Sequence, residues 1–192
     1  QKSVLTSHSL DVERCLEEYA QDAPNSNYQL ALLAWRKGKQ QQWQMSLDYY
    51  QRANQNNNSL SWSILNQAIT LEKINQINQA IEAYQKYLSL FPRDTFAHFR
   101  CGTLLGKISQ FREAKERLET ALKISSDCPK IYHNLGWILL SMGLSDGVID
   151  HSYEIIQYYR RALELYRQSG SPTNLNLAQQ IQKAFTKAGI KL

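Results

Sequence analysis

The side chains that most often carry out catalysis are few in this sequence of 192 residues, and they are not grouped. Histidine can act as a general acid or base or hold a metal ion, and a metal site needs further ligands at fixed short spacings. No histidine here has a partner His or carboxylate at such a spacing; the four are His8, His98, His133 and His151. The sequence also lacks a glycine-rich phosphate loop and a nucleophile elbow. We therefore expect a chain that is not an enzyme and that binds neither a cofactor nor a metal.

The cysteines are spaced neither for a metal site nor for a complete set of disulfides. There are three, Cys15, Cys101 and Cys128, so they cannot all pair within one chain. Their simplest interpretation is reduced thiols in a cytosolic protein. No signal peptide is visible, and no stretch approaches the ~18 apolar residues of a membrane helix. We expect a cytoplasmic location; because the sequence starts at Gln1 rather than Met, a membrane-tethered fragment of a longer protein stays open as an alternative.

One interval recurs among residues that could bind a ligand. Lys39, Lys73 and Lys107 are 34 residues apart, and cations at a fixed spacing could bind the carboxylates of a partner. The same interval links four small residues, Ala34, Ala68, Gly102 and Gly136. Small side chains let two helices approach closely. An ungapped interval of this length indicates an internal repeat, in which stacked helix pairs share one core.

The repeated stretches resemble the tetratricopeptide repeat (TPR), whose signature places large, Leu, Gly and Tyr residues before Ala, Phe and Pro at fixed offsets. The best matches are AIEAYQKYLSLFP at residues 80–92 and NLGW at residues 134–137, and the resemblance covers residues 27–168. It implies an all-α fold, a right-handed α-α superhelix (TPR solenoid) of stacked antiparallel helix pairs. His98 stands at a large apolar position and Cys101 at a small one, so we expect both in the core.

The period also predicts how a single domain is divided. The fourth repeat breaks phase, so we expect its first helix at about 129–142, a loop at 143–150 and a longer helix at about 151–168. A helix at 10–21 is interpreted as the remnant of a preceding repeat, and one at 172–188 as a cap. The predicted divisions are an N-terminal helix in 1–26, repeats at 27–60, 61–94 and 95–128, an irregular repeat at 129–170 and a capping helix in 171–192.

The resemblance implies that six positions of each first helix face a concave groove. The residues predicted to bind a partner there are Tyr28, Trp35, Lys39, Trp62, Asn66, Ile69, Lys73, Phe96, Phe99, Arg100, Lys107, His133, Asn134 and Trp137. Aromatic anchors with basic neighbours suit a protein or peptide that is apolar with acidic flanks. Two structural interpretations stay open. The lysines could complement helix dipoles, and Trp35 and Trp137 could pack between neighbouring first helices.

The dicarboxylate clamp known in this family is not predicted here. Asn66 and Arg100 match the clamp pattern, but Ala31, Trp35 and Phe96 stand where it needs Lys, Asn and Lys. We therefore expect a groove whose surface is mainly apolar and has basic residues as its secondary feature.

The leading hypothesis is a protein-interaction scaffold that takes part in assembling a larger complex. One alternative is the regulatory or substrate-recruiting region of a larger enzyme, for example a glycosyltransferase. Another is single-stranded RNA binding, because residues 95–192 carry the whole net charge of +5. Nucleic acid is disfavoured, since most of that excess lies outside the groove positions. Self-association is expected, if anywhere, through the 143–170 segment and the cap helix.

Overall fold

The computed structural model describes residues 26–55, 60–146 and 152–187. Within these ranges the chain forms only α-helices and their connections. The helices are α1 (Asn27–Lys39), α2 (Trp43–Ala53), α3 (Ser61–Lys73), α4 (Ile77–Leu90), α5 (Thr95–Lys107), α6 (Phe111–Ile124), α7 (Pro129–Asp146), α8 (Ser152–Gln168) and α9 (Pro172–Lys187). The predicted helix at 10–21 lies outside the described residues, as do His8, Cys15 and His151.

The chain divides into two compact units, residues 1–90 and residues 91–192. In unit 1 the helix pairs α1–α2 and α3–α4 pack internally, and α2 packs on α3. In unit 2 the pairs are α5–α6 and α7–α8, with α6 on α7 and α9 on α8. The all-α fold of stacked antiparallel helix pairs predicted from the sequence is confirmed. No helix in the described parts of the chain combines the length and apolarity needed to cross a membrane.

The turn between the two helices of a pair has the same geometry in the first three repeats. Its middle residue lies in the left-handed region, with φ of 61° at Gln41, 62° at Asn75 and 63° at Ser109. The next backbone N–H donates to a carbonyl five residues earlier, which ends the first helix as a Schellman motif. These bonds join Gln42 to Lys37, Gln76 to Leu71 and Gln110 to Leu105. The sequence period is therefore also a period of the backbone.

The fourth repeat departs from this turn. Gly143, 34 residues after Ser109, is buried inside α7. The predicted end of this helix near residue 142 is wrong, because α7 continues to Asp146. Leu140 and Met142 pack against the core that α7 shares with α8, and this contact favours continued helix over a turn. The second helix begins at Ser152, close to the predicted 151.

Small residues permit close contact within each helix pair, as predicted. Ala34 and Ala68 are completely buried. A Cβ added to Gly102 would lie 2.9 Å from Cγ of Leu118, and one added to Gly136 would lie 2.7 Å from the ring of Tyr159. No methyl group fits at these distances without displacement of the neighbour.

The predicted cap helix packs an apolar face against α8 in unit 2. Ala178 and Ile181 of α9 are buried with Tyr159, Leu163 and Tyr166 of α8. Leu177 and Phe185 of α9 also pack against this cluster. The ring centroids of Phe185 and Tyr159 are 4.9 Å apart. The helix runs from Pro172 to Lys187, within one residue of the predicted 172–188.

Candidate partner-binding surfaces

The predicted site residues fall into one set on each unit. We call the set on α1 and α3 the unit 1 surface; its members are Tyr28, Trp35, Lys39, Trp62, Asn66, Ile69 and Lys73. We call the set on α5 and α7 the unit 2 surface; its members are Phe96, Phe99, Arg100, Lys107, His133, Asn134 and Trp137.

An exposed aromatic pair joins the two first helices of unit 1. Tyr28 on α1 is 58% exposed, whereas Trp62 on α3 is half-buried. Their rings meet edge to face, with centroids 6.3 Å apart and an interplanar angle of 80°. Edge-to-face contact of this kind is favourable beyond the area it buries. The pair holds a large aromatic surface open to solvent.

A second aromatic group on α1 carries a cation. Trp35 is 45% exposed, and Nζ of Lys39 lies 5.3 Å from its ring centroid. This cation–π contact fixes the ammonium group on the exposed indole. Trp35 and Lys39 together present an apolar ring and a positive charge at one place on α1.

The other members of the unit 1 surface lie on α3. Lys73 is exposed in the last turn, as Lys39 is on α1. Asn66 and Ile69 are half-buried, and the Asn66 side-chain amide donates to the Trp62 carbonyl at 2.8 Å. The acidic residue of α3, Glu72, accepts a hydrogen bond from the hydroxyl of Tyr84 on α4 at 3.4 Å. Its carboxylate is thereby drawn towards the second helix.

The unit 2 surface has the same character. Phe96 of α5 is 47% exposed, and Phe99 and Arg100 are half-buried. Burial lowers the pKa of the Arg100 guanidinium, which nevertheless remains charged at neutral pH. Lys107 is exposed in the last turn of α5, and this helix contains no acidic residue.

Two predicted site residues of α7, Trp137 and Asn134, contact α5 and remain partly exposed. Trp137 is 38% exposed, and its ring lies over Gly106 of α5, where an added Cβ would be 2.7 Å away. The ring also meets Phe111 edge to face at 6.4 Å. Asn134 donates to the Thr103 hydroxyl of α5 at 2.8 Å. Trp137 therefore packs between neighbouring first helices, which is one of the two interpretations open from the sequence.

His133 is directed into its own helix pair. Its ring centroid lies 5.6 Å from that of Tyr159 and 6.4 Å from that of Tyr166, both on α8. Burial lowers the pKa of the imidazole, because a buried site disfavours the charged form. The structure thus gives this residue a packing role beside the other members of the unit 2 surface.

The other described histidine, His98, and the cysteine Cys101 lie in the core. No group of three His, Cys, Asp or Glu side chains within residues 26–55, 60–146 and 152–187 could hold a metal ion. His98 is buried, with Nε2 2.9 Å from the carbonyl oxygen of Pro92. Cys101 is fully buried, and burial raises the pKa of its thiol to about 11. The expected core positions of both residues are confirmed.

Sequence reasoning did not predict a cleft between the end of α8 and one side of α9. Its volume is about 610 Å³, and its lining residues are Arg167, Leu175, Ala178, Gln179, Gln182, Lys183, Thr186 and Lys187. A signal for its basic lining was present in the sequence, since residues 165–192 contain no Asp or Glu. We call this feature the α9 cleft.

The repeated helix pairs, the recurring Schellman turn and the small residues at each helix crossing define a helical-repeat protein. The family model of the tetratricopeptide repeat matches residues 63–94, which span α3 and α4. The α3–α4 helix pair is therefore a tetratricopeptide repeat. No curated protein matches the sequence.

Solved structures share the fold at low sequence identity. A crystal structure of MamA superposes with a TM-score of 0.74 at 17% identity, covering 86% of this chain and 93% of the other. MamA from Desulfovibrio magneticus RS-1 gives 0.73 at 16% identity, covering 89% and 93%. YrrB, described as a TPR protein with an unusual peptide-binding site, gives 0.74 at 15% identity, covering 93% and 87%. At these identities the likeness establishes the fold alone.

Proposed function

We propose that this chain is a non-catalytic scaffold that binds a partner peptide or protein domain on its first helices, in the assembly of a larger complex. The observation that carries the proposal is the exposure of aromatic rings on first helices. Tyr28, Trp35, Phe96 and Trp137 are all at least 38% exposed. Trp and Tyr are frequent binding anchors because they bury much area at little entropic cost.

The partner we propose is an apolar peptide with acidic flanks. Nζ of Lys39 lies 5.3 Å from the Trp35 ring centroid. Lys73 is on the same first helix as Trp62, and Arg100 and Lys107 are on the same first helix as Phe96. The two first helices of unit 1 together carry four basic residues and one acidic residue, Glu72, so their net charge stays positive. Basic groups around an apolar centre favour carboxylates on the partner and set its orientation. YrrB, which shares the fold, is described as having a peptide-binding site, and this supports the same use here.

A peptide selection tests the proposal. Displayed random peptides are selected on the chain, and the enriched peptides are measured on a variant that combines Trp35→Ala with Phe96→Ala. The matched control is Tyr153→Ala, since Tyr153 is 76% exposed on the second helix α8. We expect apolar peptides flanked by Asp or Glu that lose affinity for the double variant and keep it for the control. Peptides of no common character, or peptides that bind both variants equally, would contradict the proposal.

We propose in addition that the chain associates with itself through its C-terminal segment. The supporting observation is the α9 cleft, which has an apolar floor at Leu175 and Ala178 and lies on the helix that follows the fourth repeat. A monomeric mass at every protein concentration would contradict this second proposal.

A further inference from the structure

The α9 cleft has a consistent chemical character. Leu175, Ala178, Gln182 and Thr186 recur at three- and four-residue spacing, so they lie along one side of α9. Leu175 is 38% exposed and lies in the cleft beside Ala178. An open apolar floor along a helix suits a second amphipathic helix.

The charged groups of the cleft all have one sign. They are Arg167, Lys183 and Lys187, and no acidic side chain lines the cleft. The guanidinium of Arg167 donates to the side-chain oxygen of Gln182 at 3.2 Å, which ties the end of α8 to α9. Lys183 and Lys187 are exposed one helical turn apart. The cleft is therefore suited to an occupant that carries carboxylates beside its apolar residues.

The sequence contains one segment with the complementary character. Residues 10–22, LDVERCLEEYAQD, carry five acidic residues and one basic residue, a net charge of −4. Val12, Leu16 and Tyr19 recur at the spacing of one helix face. No other stretch of this length in the sequence is as acidic. Its apolar positions match the floor of the cleft, and its carboxylates match the cations.

We propose that residues 10–22 of one copy of the chain dock in the α9 cleft of a second copy. This inference rests on the self-association proposed above and names its two surfaces. Because the segment and the cleft are different surfaces, each copy in a pair keeps one of them free. Such a head-to-tail contact is heterologous, so association continues into longer assemblies or closes into a ring.

Charge-reversal variants, made in the complete 192-residue chain, test the contact. One variant combines Lys183→Glu with Lys187→Glu, a second combines Glu17→Lys with Glu18→Lys, and a third carries all four changes. The matched control combines Lys86→Glu with Lys123→Glu, two exposed lysines of α4 and α6. Light scattering after gel filtration measures the mass of each over a range of protein concentrations, and circular dichroism checks that each is folded.

The expected result is a wild-type mass that rises well above the monomer value of 22.2 kDa with concentration. It should fall when the salt rises from about 50 mM to about 500 mM, because exposed charges are screened. The first two variants should be monomers alone and associate when mixed, and the four-fold variant and the control should associate alone.

Two results would overturn the inference, and they differ in what else they reject. A wild-type chain that is monomeric at low salt and high concentration rejects both this contact and the proposed self-association. Association that persists in both double variants leaves the self-association standing and rejects the contact between the segment and the cleft.

Discussion

The side-chain amide of Asn134 donates a hydrogen bond to the hydroxyl of Thr103 at 2.8 Å. The two residues lie on α7 and α5, the first helices of successive repeats, and both are half-buried. The hydroxyl of Thr103 in turn donates to the carbonyl of Phe99 at 2.7 Å. A chain of polar contacts therefore links the two first helices of unit 2.

The hydrogen bond between Asn134 and Thr103 should contribute a measurable coupling energy to the stability of the protein. We expect a double-mutant cycle of Asn134→Ala and Thr103→Val to give a coupling of about 0.5–1.5 kcal/mol in the free energy of unfolding. Thr120→Val is the matched control, because the exposed Thr120 hydroxyl bonds only within its own helix, to Glu116 at 2.8 Å. Urea unfolding is measured for the wild type, the two single variants, the double variant and the control. A coupling within error of zero would show that the link adds nothing to repeat stacking.

Gly136 of α7, which lies against the Tyr159 ring of α8, should not tolerate a methyl group. A Cβ at position 136 would lie 2.7 Å from the Tyr159 ring, so we expect Gly136→Ala to cost about 1–3 kcal/mol of unfolding free energy. Gly38→Ala is the comparison, because its nearest neighbour, Oγ of Ser46, is 3.3 Å away. The measurement is the midpoint of thermal or urea unfolding. Equal effects of the two substitutions would contradict the steric explanation.

Much of this architecture could be predicted from the sequence, because close packing restricts residue size. Ala34, Ala68, Gly102 and Gly136 recur at one interval since no larger side chain fits where the helices cross. The surface positions of the aromatic residues were implied by the resemblance to the tetratricopeptide repeat. Neither the interval nor the resemblance, however, predicts the contacts that each side chain makes.

The parts that were missed depend on local geometry that residue types do not indicate. Gln41, Asn75 and Ser109 adopt positive φ although none is glycine, whereas Gly143, at the corresponding position, is helical. The break in the repeat phase suggested a loop at 143–150, but the apolar contacts of Leu140 and Met142 with the core shared with α8 favour continued helix. The direction of the His133 side chain, towards α8, could not be predicted without the packed structure. The same is true of the α9 cleft.

Acid should destabilise unit 2 through His133. Burial lowers the pKa of this imidazole, so the unfolded chain binds a proton more readily than the folded one. The stability that neutral His133 contributes is complete above the pKa of the imidazole in the unfolded chain, about 6.5. It declines as the pH falls below that value towards the lower pKa of the folded protein. His133→Phe retains a ring against Tyr159 and cannot titrate.

The stability of wild type relative to His133→Phe, measured by urea unfolding, should therefore be lower at pH 5 than at pH 7.5. A difference that does not change with pH, or one that favours wild type in acid, would contradict this prediction.

The thiol of Cys101 should resist alkylation in the folded protein. It is fully buried, and burial raises its pKa to about 11, so little thiolate forms at pH 8. Cys128 is half-buried and serves as the internal comparison. Peptide mass spectrometry after iodoacetamide treatment should find Cys128 modified well before Cys101, with equal modification in urea. Rapid native labelling of Cys101 would show that α5 opens easily.

The most direct test of the central claim is the affinity of a selected acid-flanked peptide for a charge-reversed chain. The variant combines Lys39→Glu, Lys73→Glu and Lys107→Glu. The control combines Lys86→Glu, Arg112→Glu and Lys123→Glu, which reverses the same number of exposed charges on second helices. We expect isothermal titration calorimetry to show at least about tenfold weaker binding to the variant and little change for the control. If the variant binds as tightly as wild type, these lysines only complement their helix ends and the first helices do not recognise acidic partners.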